Sequence, residues 1–277
     1  SLTLAAADLD DPVEVGADDK AHLQAWLSKR VGTPFTVPDL KADGYTLLFT
    51  NAPTHAIAPL VVKGFTYEPV KDFAPVAAIG STSLVMVIAP SVPAKSLREF
   101  IAYAKANPGK LNFGYGQGTL PHLVGEAFKL ATGIDLASIP YKGGPQIVTD
   151  VLGGRIHMML SAGTTLAPLV RDGKLRALAV SSGTRSAELP DVPTMAESGL
   201  PDLTTVTHYG ILGPAGMPAA VVARLNSEAN ELLQSPEQRA SLSKAGFEPS
   251  GGSPQDFASL ISEQMQRWAP IVKAVGF

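Results

Sequence analysis

Short apolar runs alternate with stretches of helical spacing along almost the whole chain, the signature of an α/β fold. Strand candidates fall at residues 2–7, 45–50, 84–89, 111–115, 156–160 and 175–181. Most are near-continuous apolar runs rather than alternating ones, as strands covered on both faces require. Between them, Leu23, Trp26, Leu27 and Val31 form a stripe at helical spacing. Ser96 with Glu99 makes a capping box ahead of Phe100 and Ile101, and Asn107-Pro108-Gly109 ends that helix. Pro121 opens another helix at its first position and Gly133 closes it. Pro218 and Pro254 start two amphipathic helices near the C-terminus, with a short strand candidate at 247–249 between them.

Two apolar segments end in Pro/Gly punctuation. Residues 83–89 run into Pro90-Ser91-Val92-Pro93, and residues 208–212 run into Gly213-Pro214-Ala215-Gly216. They divide the chain into a lobe made from residues 1–83 plus 213–277 and an inserted lobe, 84–212. Two linking strands then form a hinge.

Composition narrows the function classes. A length of 277 residues suits two lobes, and 45% hydrophobic content supplies their interiors. The net charge is -3, with no Lys/Arg cluster interleaved with aromatics, so nucleic acid is not an expected partner. No apolar run reaches the length of a membrane span. Cysteine is absent, which removes disulfides, thiolate metal sites and thiol nucleophiles together. The chain opens on Leu2-Thr3-Leu4-Ala5-Ala6 with no secretory leader ahead of it, as in a cytosolic protein or a mature form.

In parallel α/β sheets, ligands collect at the carboxyl ends of strands, where the following helices present free N–H groups. Four such turns are expected: residues 51–55, 114–122, 141–144 and 161–165. They carry hydroxyls, amides and glycines but no carboxylate. That favours an anionic or neutral polar ligand. Each helix end contributes only ~0.3–1 kcal/mol, whereas micromolar affinity needs about 8, so several ends must converge.

A structural role competes with a functional one at each position. Gly114-x-Gly116-x-Gly118 does not have dinucleotide-binding spacing, so no cofactor is expected. His55 and His122 sit beside helix starts, as structural histidines or as ligand contacts. Lys142 reads equally as a solvated turn residue, and Ser161 as a helix cap. His157 lies in an apolar strand and reads as structural, while His208 belongs to a linking strand. Catalysis lacks a motif: there is no G-x-S-x-G elbow, no His-Glu-x-x-His and no histidine pair at i, i+4, so neither a catalytic residue nor a metal site is expected. Glu126 and Glu197 become an acid/base pair only if a fold is assumed.

A series of motifs carries a family resemblance. Val70-Lys71-Asp72-Phe73-Ala74-Pro75-Val76, Pro93-Ala94-Lys95-Ser96-Leu97, Asn107-Pro108-Gly109-Lys110-Leu111 and Pro140-Tyr141-Lys142-Gly143 occur in order. Gly173-Lys174-Leu175-Arg176-Ala177-Leu178-Ala179-Val180, Leu189-Pro190-Asp191-Val192-Pro193-Thr194 and Tyr209-Gly210 follow. From about Asp43 to the C-terminus the chain resembles the tripartite tricarboxylate transporter substrate-binding receptors, or Bug receptors. The resemblance implies a periplasmic, two-lobed, type II binding-protein fold and a monomer that is not an enzyme. It would capture a small carboxylate or related polar metabolite for a membrane permease, or act as a sensor. Asn51, Thr54, His55, Ser81, Gly118, Thr119, His122, Lys142 and Gly143 would line or support the cleft, and Ser161 is a further candidate contact.

Three departures qualify the resemblance. Where the family has a Pro-Gly-Gly loop this chain reads Asp11-Pro12-Val13-Glu14-Val15-Gly16-Ala17-Asp18-Asp19, which places like charge near an incoming anion. Between Thr36 and Tyr45 the family has a Gly-rich turn and a helix. Here Val37-Pro38-Asp39-Leu40-Lys41-Ala42-Asp43-Gly44 is too short for a parallel crossover of about a dozen residues. A displaced strand near Phe35, a true deletion or missing residues would each account for it. Ser161 stands where the family commonly has aspartate, which weakens selection for an amino or hydroxyl group. The altered first loop keeps open a sensory or protein-interaction module with a drifted cleft; an enzyme on this fold is the third reading.

Overall fold

A computed structural model describes residues 3–4, 15–16, 47–61, 68–244 and 246–276. The helical stripe at residues 23–31, the link at 36–45 and all of the altered loop 11–19 except Val15–Gly16 lie outside them. The chain divides into two compact units: unit 1 is Ser1–Ser81 with His208–Pro270, and unit 2 is Thr82–Thr207 with Ile271–Phe277. The chain thus passes between units at Ser81/Thr82 and Thr207/His208, slightly earlier than the punctuation placed the boundaries, and its last residues belong with unit 2.

In chain order, β1 (Thr3–Leu4) and β2 (Val15–Gly16) form an antiparallel pair. Then come β3 (Leu48–Asn51), α1 (Ala52–Val61), β4 (Phe73–Ile88), α2 (Leu97–Ala106), β5 (Leu111–Gly116) and α3 (Leu120–Thr132). After these follow β6 (Leu136–Tyr141), α4 (Gly144–Leu152), β7 (Met158–Ala162), α5 (Gly163–Arg171) and β8 (Arg176–Val180). A short 3₁₀ turn at Pro201–Leu203 leads into β9 (Val206–Pro214), α6 (Ala219–Gln234), α7 (Pro236–Lys244), β10 (Glu248–Pro249) and α8 (Pro254–Val275).

In unit 1 the strand order is β3-β9-β4-β10, with β3 antiparallel to β9 and β10 antiparallel to β4 at Gly80 and Ser81. The core there gathers Leu47, Val76, Ala77, Ile79, Met217, Leu225, Leu233, Leu242 and Phe247. A second cluster packs Ala52 and Ala56 of α1 against Leu212, Phe257 and Ile261. In unit 2 the order is β8-β4-β7-β5-β6, and β5 is parallel to both β6 and β7. Parallel strands place the ends of β5, β6 and β7 on one edge of the sheet, each followed directly by a helix. Leu84–Ile88 of β4 is buried throughout, as a strand covered on both faces must be.

The sequence signals meet the structure with small shifts. β7 begins at Met158, so His157 precedes the strand instead of lying in it. Leu120 is the first residue of α3, which makes Pro121 the second, and Gly133 closes the helix in the left-handed conformation at φ 65°. β6 has no apolar run to announce it. It is an edge strand with a half-exposed pattern, and an edge position is where Pro140 can be accommodated.

Half of the capping box forms, and the reciprocal bond is shifted one residue toward the N-terminus. Ser96 Oγ accepts the Glu99 N–H at 3.2 Å, while Glu99 Oε2 reaches back to the Lys95 N–H at 2.8 Å. Replacing Ser96 with alanine should lower the unfolding free energy by about 1 kcal/mol in urea denaturation. A loss of only a few tenths would mean that Glu99 alone secures the helix start.

Candidate functional site

Three strand-to-helix turns share the edge of the unit 2 sheet: β5 to α3, β6 to α4 and β7 to α5. The residues in their cap positions are Thr119, Gly143 and Ala162, and none makes a side-chain cap hydrogen bond. By contrast, α2, which follows β4, is capped by Ser96. Helix starts without a side-chain acceptor leave the positive end of the helix dipole without a cap of its own.

The β5–α3 turn is the most tightly built. Gly118 takes φ 74°, a conformation that favours glycine. Thr119 turns its hydroxyl inward, donating to the Gly116 carbonyl at 2.8 Å. Beneath the turn the His122 ring, 2% exposed, stacks on Tyr115 with centroids 3.7 Å apart and planes 11° apart. His122 Nδ1 accepts the Gly118 N–H at 3.4 Å, so in this tautomer the proton is on Nε2. Burial pulls the imidazole pKa down to about 4, with Glu126 opposing the shift and Lys129 adding to it. His122 is therefore neutral at physiological pH and holds the turn from below.

Glu126, one helical turn further along α3, is also buried, with Lys129 Nζ 2.9 Å from its Oε2 and the Ser138 hydroxyl donating to Oε1. Lys129 bonds Ser138 Oγ at 2.7 Å as well. This polar cluster fastens α3 to β6. Glu197 sits elsewhere in local structure, accepting from Arg185 and from the Thr194 N–H. Each glutamate is thus engaged by its own partners.

In the β6–α4 turn, Lys142 is exposed and Gly143 is extended at φ -166°. The Tyr141 hydroxyl donates to Asp150, which also pairs with Arg155; burial and this bond push the phenol up to about 12. In the β7–α5 turn, Ser161 is paired with Val85 inside the sheet, and Ala162 occupies the cap position. Ser161 is consequently a half-buried strand residue, not a helix cap.

Unit 1 holds the other candidates. Asn51 ends β3 and is half-buried, as is Ser81 on β4; the Thr54 side chain lies outside the described residues. His55 is 0% exposed, with Nε2 2.9 Å from the Pro69 carbonyl and its ring edge-on to Phe73. Its Nε2–H donates to that carbonyl, and burial lowers its pKa. A fully covered ring supports the turn around it and offers no open face. His157 accepts the Asn112 N–H through Nδ1 at 2.9 Å, tying β5 to the start of β7. His208 is half-buried on β9, its pKa lowered by burial and raised in part by Glu263.

Two features had no sequence signal. One is the Tyr115–His122 stack, which depends on a strand residue and a helix residue meeting across a turn. The other is the arrival of Glu188, from the loop after β8, beside Gly163.

A family model described as the tripartite tricarboxylate transporter family receptor matches residues 33–277. Protein BugT of Bordetella pertussis (strain Tohama I) is 34% identical over 248 residues, covering 89% of this chain and 76% of that protein. A Cupriavidus necator protein encoded in the gbd 5' region is 35% identical over 236 residues, 84% of this chain and 71% of its own length. Among solved structures, an R. palustris protein with adipate superposes with a TM-score of 0.82 at 30% identity, covering 99% of this chain and 97% of that one. A periplasmic transporter superposes with a TM-score of 0.81 at 34% identity, with the same coverages. The α/β fold is that of periplasmic solute-binding proteins, and the match over almost the whole chain places this protein in the tripartite tricarboxylate transporter receptor family.

Proposed function

We propose that this chain captures a small carboxylate outside the cytoplasm and hands it to a membrane permease of the tripartite tricarboxylate type. The observation that carries this reading is the set of three helix starts without side-chain caps on one edge of the unit 2 sheet. The R. palustris relative bound to adipate supports the carboxylate class. The α3 and α4 helix ends at ~0.3–1 kcal/mol each supply a minority of the roughly 8 kcal/mol that micromolar binding needs. Direct hydrogen bonds and apolar burial supply the rest.

The Gly143 N–H and the Lys142 ammonium are the carboxylate donors in this proposal, while Gly118 and Thr119, whose N–H groups go to His122 Nδ1 and the Gly116 carbonyl, shape the turn beside them. Ser161 in unit 2 is a further contact. His122 and His55 act by holding their turns in shape. Among the described residues, no helix is long and apolar enough to cross a membrane.

A thermal-shift screen over mono- and dicarboxylic acids tests the proposal. A ligand at a hundred times its Kd should stabilise the chain by about 2.7 kcal/mol. Lys142→Ala should weaken the best acid about fivefold while leaving the melting temperature of the free protein unchanged, because the side chain is exposed. A broad acid panel that leaves the melting temperature unmoved would refute carboxylate capture.

A further inference from the structure

We infer that Glu188 reads the far end of the captured acid, selecting a ligand that carries a hydrogen-bond donor there, a hydroxyl or an ammonium, over one that carries a second carboxylate. The inference rests on the proposed carboxylate capture. The β7–α5 turn has no acidic residue of its own, since Ser161, Ala162, Gly163, Thr164 and Thr165 make it up. Glu188 brings a carboxylate to it from the loop after β8. Its Oε2 lies 3.3 Å from the point where a side chain on Gly163 would begin, and Ser83 Oγ lies 3.6 Å from the same point. Gly163 is buried, so the glycine leaves room for the carboxylate to lie against the backbone at the first residue of α5.

What distinguishes Glu188 is the lack of a partner. Glu126 is held by Lys129 and Ser138, Asp150 by Arg155 and Tyr141, and Glu197 by Arg185 and Thr194. Among the described residues nothing donates a hydrogen bond to the Glu188 carboxylate or forms an ion pair with it; only its own N–H is engaged, by Ser186 Oγ. Half-burial without compensation raises its pKa, and Arg171 offsets this only in part. A partly desolvated carboxylate gains from a ligand donor and repels a ligand anion. The Ser83 hydroxyl beside it can turn to donate or accept, which suits a ligand hydroxyl as well as an ammonium.

The test is a calorimetric titration with acids matched in length. Succinate is compared with 4-hydroxybutyrate and 4-aminobutyrate, and adipate with 6-hydroxyhexanoate and 6-aminohexanoate. The wild-type chain should bind at least one donor-ended acid ten times or more tighter than the dicarboxylate of the same length. Glu188→Gln, which keeps size and removes charge, should cut that ratio at least tenfold, chiefly by weakening the ammonium-ended acid and strengthening the dicarboxylate. Glu188→Ala should do the same, and Glu197→Gln should leave the ratio in place. A wild-type preference for dicarboxylates, or a ratio within twofold of wild type in both Glu188 variants, overturns the role of Glu188 while leaving carboxylate capture standing. Silence from all six acids, and from butyrate and hexanoate, overturns this inference, while carboxylate capture falls only if the broad acid panel is silent too.

Discussion

Gly125→Ala is expected to lower the unfolding free energy by about 2 kcal/mol, although alanine is the better helix former. An ordinary Gly-to-Ala change in a helix interior gains about 1 kcal/mol. Here a Cβ would lie 2.1 Å from Phe113 Cζ, 2.3 Å from Cε1 and 2.9 Å from Cε2. Phe113 is 0% exposed on β5, and its ring leans on Tyr115 at 5.5 Å, so it has no space to retreat into. Overpacking of this kind costs about 1–3 kcal/mol and occasionally more, which outweighs the propensity gain. Because Tyr115 carries His122, a displaced Phe113 should also loosen the β5–α3 turn and weaken ligand binding. Gly144→Ala is the control: a Cβ there meets nothing within 4 Å, and stability should hold within about 0.5 kcal/mol. Urea denaturation of the two variants decides the matter. A Gly125→Ala protein as stable as wild type would mean that α3 does not rest on β5 through this glycine.

The sequence was most legible where local chemistry determined local structure. Ser96 and Glu99 announced a helix start, Gly133 a helix end, and the apolar run at 84–89 a doubly covered strand; each depends on residues within a few positions of one another. The first half of β4 was hidden because Pro75, Gly80 and the serines and threonine that follow read as punctuation. Gly80 proves to be a close-approach position, where a Cβ would meet Phe247 Cε1 at 2.3 Å and the Glu248 carbonyl at 2.4 Å, so the glycine admits β10 and does not break the strand. The turns at the strand ends were legible as a class, since α/β topology dictates where they gather. Which side chains face outward from them was not. Thr119, an evident candidate donor, turns its hydroxyl to Gly116, while Glu188 reaches the β7–α5 turn from a loop 25 residues further along, a distance (188 minus 163) over which no spacing rule operates.

His122 should make this protein lose stability in mild acid, and His122→Phe should remove that loss. In the folded chain the imidazole titrates at about 4; unfolded, it returns to the ordinary histidine value of 6.5. Between those two pH values the unfolded chain binds a proton that the folded chain refuses. Stability therefore rises with pH across that window, is fully present above it, and falls as the solution is acidified. At about 1.4 kcal/mol per pKa unit, this one residue withdraws roughly 2–3 kcal/mol by pH ~4.5. Phenylalanine keeps a ring on Tyr115 but neither titrates nor accepts the Gly118 N–H. At pH ~7 the variant should be about 1–2 kcal/mol less stable, the cost of an unsatisfied buried donor. At pH ~4.5 it should match or exceed wild type. The lowered pKa values of His55, His157 and His208 give both proteins the same further acid sensitivity, which cancels in the comparison. Ligand affinity at pH ~7 should fall about tenfold, because a turn that must be ordered on binding costs roughly 1.4 kcal/mol. Urea unfolding of both proteins at the two pH values, with acid titrations beside it, checks each part. A stability difference that stays constant from pH ~7 to ~4.5 would show that His122 is open to protonation in the folded chain, and would remove it as the support of the β5–α3 turn.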